Sequence, residues 1–167
     1  MKALFKAKVE DFRLPRYQEL PNIGLYLEQV TKYINGFLLP LGCPEITTAM
    51  ISNYVKKGMI APPVKKQYNG EQIAYLIFIS FGKTVLSIEN IGHLFRLQKA
   101  EYSLATAYDY FCSEFENMLR YICGIDTELK NVGTSNTEVK NLFRSVIIAI
   151  SHDIFINNSL SALKNEE

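Results

Sequence analysis

Residues 46–95 read ITTAMISNYVKKGMIAPPVKKQYNGEQIAYLIFISFGKTVLSIENIGHLF. Within this stretch an apolar residue, a capping residue and a second apolar residue recur three times, as Ile46-Thr47…Ile51, Tyr68-Asn69…Ile73 and Leu86-Ser87…Ile91. Each group marks a helix N-terminus. The cap oxygen accepts from an otherwise unpaired first-turn N–H, and the two apolar residues staple the entering chain to the helix. Gln72 stands where a capping box needs an amide that reaches back to Asn69. Gly58 is placed to end the first helix in the left-handed conformation, and Pro62-Pro63-Val64-Lys65-Lys66-Gln67-Tyr68 cannot continue one. The stretch therefore predicts helix, basic loop, helix, helix.

The first of these helices, roughly Thr48 to Lys57, carries the functional reading. At the helical period Met50, Ile51, Tyr54 and Val55 share one face, while Thr48, Ala49, Ser52, Asn53, Lys56 and Lys57 take the other. A small, polar and basic face suits a major groove, where amides and hydroxyls meet base edges and lysines meet phosphates. The same composition also describes an ordinary solvated helix face. Lys65 and Lys66 weigh against that reading, because a second cation pair on a proline-stiffened loop is what a wing on the phosphate backbone needs.

The order of helix, Tyr54, Gly58-Met59-Ile60-Ala61-Pro62, basic loop, Tyr68, Leu76-Ile77-Phe78-Ile79 and Leu86-Ser87-Ile88-Glu89-Asn90-Ile91 resembles the winged helix-turn-helix domain of MerR-type transcription regulators. More closely, Leu14-Pro15, Glu19-Leu20-Pro21, Leu25-Tyr26, Gln29-Val30, Thr48-x-Met50-Ile51-x-Asn53-Tyr54-Val55-Lys56 and Pro62-Pro63 resemble a bacterial family described only as a domain of unknown function. The resemblance implies an all-α fold, with a MerR-like winged helix-turn-helix domain in residues 1–97 and a C-terminal helical hairpin in 98–167. It further implies duplex DNA as partner, with Thr48, Ser52, Asn53, Lys56, Lys57, Lys65, Lys66 and Tyr68 at the interface, and pairing into a homodimer through the C-terminal helices. Ser52 and Asn53 stand where MerR-type recognition helices usually carry an arginine, and no arginine accompanies Tyr68. Phosphate contacts would fall to the lysines.

The composition, 48% hydrophobic and 21% charged over 167 residues, is that of a globular chain with one domain or a small domain and an appendage. Net charge is only +1, but residues 1–83 hold 11 lysines and arginines against 6 acidic residues, while residues 84–167 hold 7 against 11. A basic front half fits a nucleic-acid-facing module. Cys43, Cys112 and Cys123 form no paired framework, and the last two are too far apart along one helical pattern for a disulfide. A reducing cytoplasm is the expected setting. Lys6, Lys8, Glu10 and Asp11 interrupt any signal-peptide core, no apolar run is expected to span a membrane, and no membrane partner is expected.

Elsewhere, Pro15 and Pro21 break up residues 1–20, which read as an extended arm. Asn22 is placed to cap a helix with Leu25, Tyr26, Gln29, Val30, Tyr33, Ile34, Phe37 and Leu38 on its seam. A helix from Gly70 to about Val85 is apolar nearly all round and hence central. Leu86 to Leu97 closes the domain. Glu101 to Cys123 repeats apolar residues at coiled-coil spacing, with Tyr108, Phe111, Phe115 and Tyr121 read as core in preference to the lining of a ligand cavity. After a turn-rich stretch, Ser135 and Glu138 are placed to open the last helix, whose seam is Val139, Leu142, Phe143, Val146, Ile147, Ile150 and Ile154. Strand pairing is expected only as a short hairpin within Pro62–Tyr68.

No phosphate loop, nucleophile elbow, zinc-protease helix or Cys-x-x-Cys pair occurs. No catalytic, cofactor or metal site is expected, and any small-molecule effector stays unidentified. A Cys112–His152 pair has no supporting signature, and a buried, inert cysteine is the commoner case. Two functions remain: a transcription regulator that binds duplex DNA, and a non-enzymatic interaction module that keeps the winged fold but binds protein.

Overall fold

The computed structural model describes residues 2–166. The protein is all-α, with seven α-helices among the described residues: α1 (Lys2–Asp11), α2 (Leu27–Leu38), α3 (Thr48–Lys56), α4 (Gly70–Gly82), α5 (Ile88–Glu101), α6 (Leu104–Ile122) and α7 (Glu138–Lys164). Two short strands, β1 (Leu25–Tyr26) and β2 (Gln67–Tyr68), pair antiparallel with Leu25 opposite Tyr68 and Tyr26 opposite Gln67.

The three helix starts form as local chemistry dictates. Thr47, Asn69 and Ser87 accept from the N–H groups of Met50, Gln72 and Asn90. Ile46 and Ile51, which flank the first cap, are both buried, as a staple requires. α4 is the axis of the molecule, with every residue from Gln72 to Gly82 buried, and it packs against α2, α5, α6 and α7. Its one interior hydroxyl on a serine, that of Ser80, donates back to the Leu76 carbonyl at 2.6 Å, so the helix enters the core without an orphaned donor there. Around it Phe81, Phe111 and Phe115 form a ring-on-ring cluster, with Phe111 and Phe115 stacked at 5.4 Å. Ile51, Tyr54, Ile73, Leu76, Ile77, Ile91, Phe95, Phe111, Phe115, Val146 and Ile150 are all buried.

Residues 1–20 are not an extended arm. Met1 lies outside the described residues, but residues 2–11 form α1, and residues 14–17 are fastened along α6. Glu116 accepts from the Leu14 N–H and from both terminal nitrogens of Arg16, each at 2.8 Å, and Asp109 accepts from the Tyr17 N–H. The Tyr108 hydroxyl donates to the Pro15 carbonyl. A proline-broken stretch shows no period, but its backbone groups still need partners, and α6 supplies them.

Asn22 does not cap α2. The chain stays extended through Leu25 and Tyr26 to pair with β2, and the helix opens after Tyr26, whose N–H donates to Gln29. The strand pairing thus joins the segment before α2 to the foot of the basic loop, in addition to the expected closure within the loop, where Val64 bridges Gln67 antiparallel. α7 opens at Thr137 instead of Ser135, with the Thr137 hydroxyl accepting from the Lys140 N–H. α5 continues through residue 97 to Glu101, and one buried cluster takes residues from both sides of that position. Tyr121 is 43% exposed and so is not core.

α7 is long and apolar enough, by length and composition, to cross a membrane, contrary to the expectation that no run would be. Part of that apolar surface is used within the fold. Val139, Phe143, Val146, Ile147, Ile150 and Ile154 are buried, and α7 packs on α1, α4, α5 and α6.

Candidate functional site

The face of α3 away from the core is polar and basic. Ile51 and Tyr54 are buried and Met50 and Val55 half-buried, so the opposite side is set by geometry: Asn53, Lys56 and Lys57 are exposed, and Thr48 and Ser52 are half-buried. The C-terminus of α3 is closed by Gly58 at φ 70°, with the Gly58 N–H on the Val55 carbonyl and the Met59 N–H on that of Tyr54. This is the Schellman pattern, and it fixes the direction in which the chain leaves Lys57.

Two side-chain amides that no periodicity singles out hold α3 and the loop in place. Asn35 on α2 both donates to the Ile46 carbonyl and accepts from its N–H, at 2.9 and 2.8 Å, which clamps the segment entering α3. Gln72 accepts from the Asn69 N–H at 2.7 Å as the capping box predicts, and its amide also donates to the carbonyls of Ala61 and Pro62. One buried glutamine therefore anchors both the start of α4 and the root of the basic loop. From the far side, Asn158 of α7 donates to the Leu41 carbonyl, in the connection between α2 and α3.

The loop turns at Lys65 and Lys66. Val64 and Gln67 exchange two backbone hydrogen bonds, at 3.1 and 3.0 Å, so the lysines are the two central residues of a tight turn. Both have positive φ, 51° and 64°, as a type I′ turn demands. Asn-Gly is the inexpensive sequence for that conformation; in other residues the Cβ crowds the following carbonyl oxygen, at a cost of about 1–2 kcal/mol. Pairing of β2 with β1 seats the loop beside the start of α2, which packs on α3.

Seven of the eight expected interface residues thus lie at the surface or half-buried, on two neighbouring features. The eighth, Tyr68, does not: it is 3% exposed, and burial pushes its phenol pKa up. Its alternating position in β2 turns the ring into the core while Gln67 faces outward, so Tyr68 is a structural residue and not a contact. Tyr26, read from its spacing as part of a helix seam, is instead 52% exposed on β1, beside Gln67. Ile23 and Val64, 80% and 70% exposed, adjoin the same strands. Among the described residues, none of Lys56, Lys57, Lys65 and Lys66 is in an ion pair.

Cys43 and Cys112 are buried and Cys123 is half-buried. Burial pushes the Cys43 and Cys112 thiols up to about 12, which leaves no thiolate at neutral pH. His152 is exposed whereas Cys112 is fully buried, so the two form no pair. No group of three or more metal-ligating side chains occurs among the described residues.

The family model that matches this chain is described as a domain of unknown function (DUF1836), and it covers residues 15–111, from the segment fastened to α6 through α3, the loop, α4 and α5 into α6 itself. No curated protein and no solved structure matches the chain.

Proposed function

We propose that this chain, which belongs to the DUF1836 family, is a DNA-binding transcription regulator whose α2, α3, loop and α4 form a MerR-like winged helix-turn-helix. α3 enters the major groove, where Asn53, Ser52 and Thr48 meet base edges, and Lys56 and Lys57 meet phosphate. Lys65 and Lys66 hold the backbone as the tip of a wing. The observation that carries this reading is the Lys65–Lys66 turn: two lysines occupy a conformation that costs least for Asn-Gly, beside a helix with a polar, basic outer face. Strain retained at one exposed spot is a mark of a functional constraint. No chemistry is assigned to the protein, which acts by binding alone.

The regulator works as a homodimer. Leu142, Ala149, Ile156 and Leu163 lie on the exposed side of α7 at seven-residue intervals, with Leu160 beside them, which is the spacing of a helix seam. Pairing two copies through α7 gives a two-fold arrangement of recognition helices and calls for a palindromic site. A mobility-shift titration with genomic DNA fragments over a range of salt tests the reading, and selection from a random pool would define the site.

A second reading has its own observation. Ile23, Tyr26 and Val64 expose apolar surface around Gln67, which suits a protein partner better than phosphate. On that reading the winged fold is an interaction module, and DNA binding at low salt would be absent.

A further inference from the structure

Between the end of α5, the start of α6 and the loop that leads into α7 lies a cavity of about 240 Å³. Tyr102, Ala107, Tyr110 and Phe143 make its walls mostly aromatic and aliphatic, and Thr106, Thr134 and Ser135 add polar groups to the lining. Its roof is held by hydrogen bonds: the Tyr102 hydroxyl lies 2.6 Å from that of Thr137 and 3.1 Å from that of Ser135. Lys140 is the one charged residue in the lining. Its ammonium donates to the Ser135 carbonyl at 2.7 Å and stands 5.4 Å from the centre of the Tyr110 ring. An ammonium carries three donors, and this contact uses one. Lys140 also belongs to the first turn of α7, whose positive end adds to the same potential. The buried carboxylate of Glu114 is not in the lining; it lies 3.7 Å from Arg144 and also feels the charge of Lys140.

We infer that this cavity binds a small aromatic carboxylate, with its ring between Tyr102, Tyr110 and Phe143 and its acid group on Lys140. Ligand pockets of this kind are mostly apolar, with a few polar groups that fix orientation, and usually span about 300–1,000 Å³. The smaller volume selects a one-ring ligand. A neutral ring would fill the walls but place no anion on the two remaining donors of the Lys140 ammonium; a cationic ligand would be repelled by it. The site stands independently of what α3 and the loop bind. It also has a route to them, because Phe143 packs against Phe78 of α4 with ring centres 5.9 Å apart.

The test uses the full chain with benzoate and benzamide as probes, followed by calorimetry and by ligand-observed NMR. Benzoate should bind at least about tenfold more tightly than benzamide. Lys140→Gln should remove that preference while leaving benzamide unchanged, since the charge and not the wall is lost. Ala107→Phe, which fills the cavity, should abolish binding of both; its thermal melt establishes whether it folds, and Lys140→Gln, at a half-buried position, keeps the test decisive if it does not. Equal affinity of wild type for the two probes, no binding of either, or a preference that survives Lys140→Gln would overturn the inference.

Discussion

Lys65 and Lys66 are held in a conformation that their side chains disfavour, and this separates stability from function at single residues. The double variant Lys65→Asn/Lys66→Gly suits the turn better and should raise unfolding free energy by about 1 kcal/mol. The same variant should bind DNA more weakly on every sequence. Urea unfolding beside a mobility shift checks both, and a gain in stability with binding intact would mean the strain serves nothing at the interface. Glu114 offers a pH test. It is 1% exposed, and desolvation raises its carboxyl pKa, with Arg144 and Lys140 opposing. A carboxyl with a raised folded pKa binds its proton more tightly when folded, so its contribution is full below the unfolded value, about 4.3, and is lost as pH rises through the folded one. Glu114→Gln should therefore gain stability relative to wild type as pH is raised from about 4 towards 7. A difference that stays flat over that range would contradict the assignment.

At the scale of elements, what could be read from residues was what is local. Thr47, Asn69 and Ser87 cap helices by bonds to residues three positions on, and the α3 face follows from the helical period, so both were legible. β1 was not, because a two-residue strand has no period and its partner β2 lies beyond α2 and α3 in the chain. α1 and the fastened residues 14–17 were missed because nothing within them repeats and the bonds of the fastened segment run to Asp109 and Glu116. That Thr48, Ser52, Asn53, Lys56, Lys57, Lys65 and Lys66 lie outside the core follows from the helical period and the polar loop, while the turn conformation at Lys65 and Lys66 is hidden by an uncommon sequence for it. The resemblance places Tyr68 at the interface, whereas strand pairing turns its ring into the core. Gln72 shows how local and distant duties combine. Gln72→Ala loses the capping bond together with the two bonds that hold Ala61 and Pro62, and should cost about 1–3 kcal/mol. Hydrogen exchange should also rise at Val64 and Gln67, whereas Ser87→Ala should lower stability by about 1 kcal/mol and leave the loop protected.

For the whole molecule, α7 connects what the chain divides. Its inner face packs on α6 and α4, Asn158 holds the α2–α3 connection at Leu41, and its outer face carries the seven-residue stripe. Ile156→Glu should leave helix content and inner packing unchanged and return a monomer by light scattering at micromolar concentration, where wild type returns a dimer. A wild type that is already monomeric would remove the dimer from the account. On the proposed reading a dimer would bring Lys56, Lys57, Lys65 and Lys66 from each copy to up to about eight phosphates, and at about −0.9 per phosphate, log affinity should fall against log salt with a slope near −7 at most. Asn53→Ala should weaken only the preferred site, by roughly 1–3 kcal/mol, with that slope unchanged. The most direct measurement is the salt dependence of duplex binding by wild type and by Lys65→Ala/Lys66→Ala. The regulator reading predicts steep, salt-dependent binding that the double variant weakens on all sequences, with the slope flattened by up to about four; no binding of wild type to duplex DNA at low salt, or a slope that the variant leaves untouched, would contradict it.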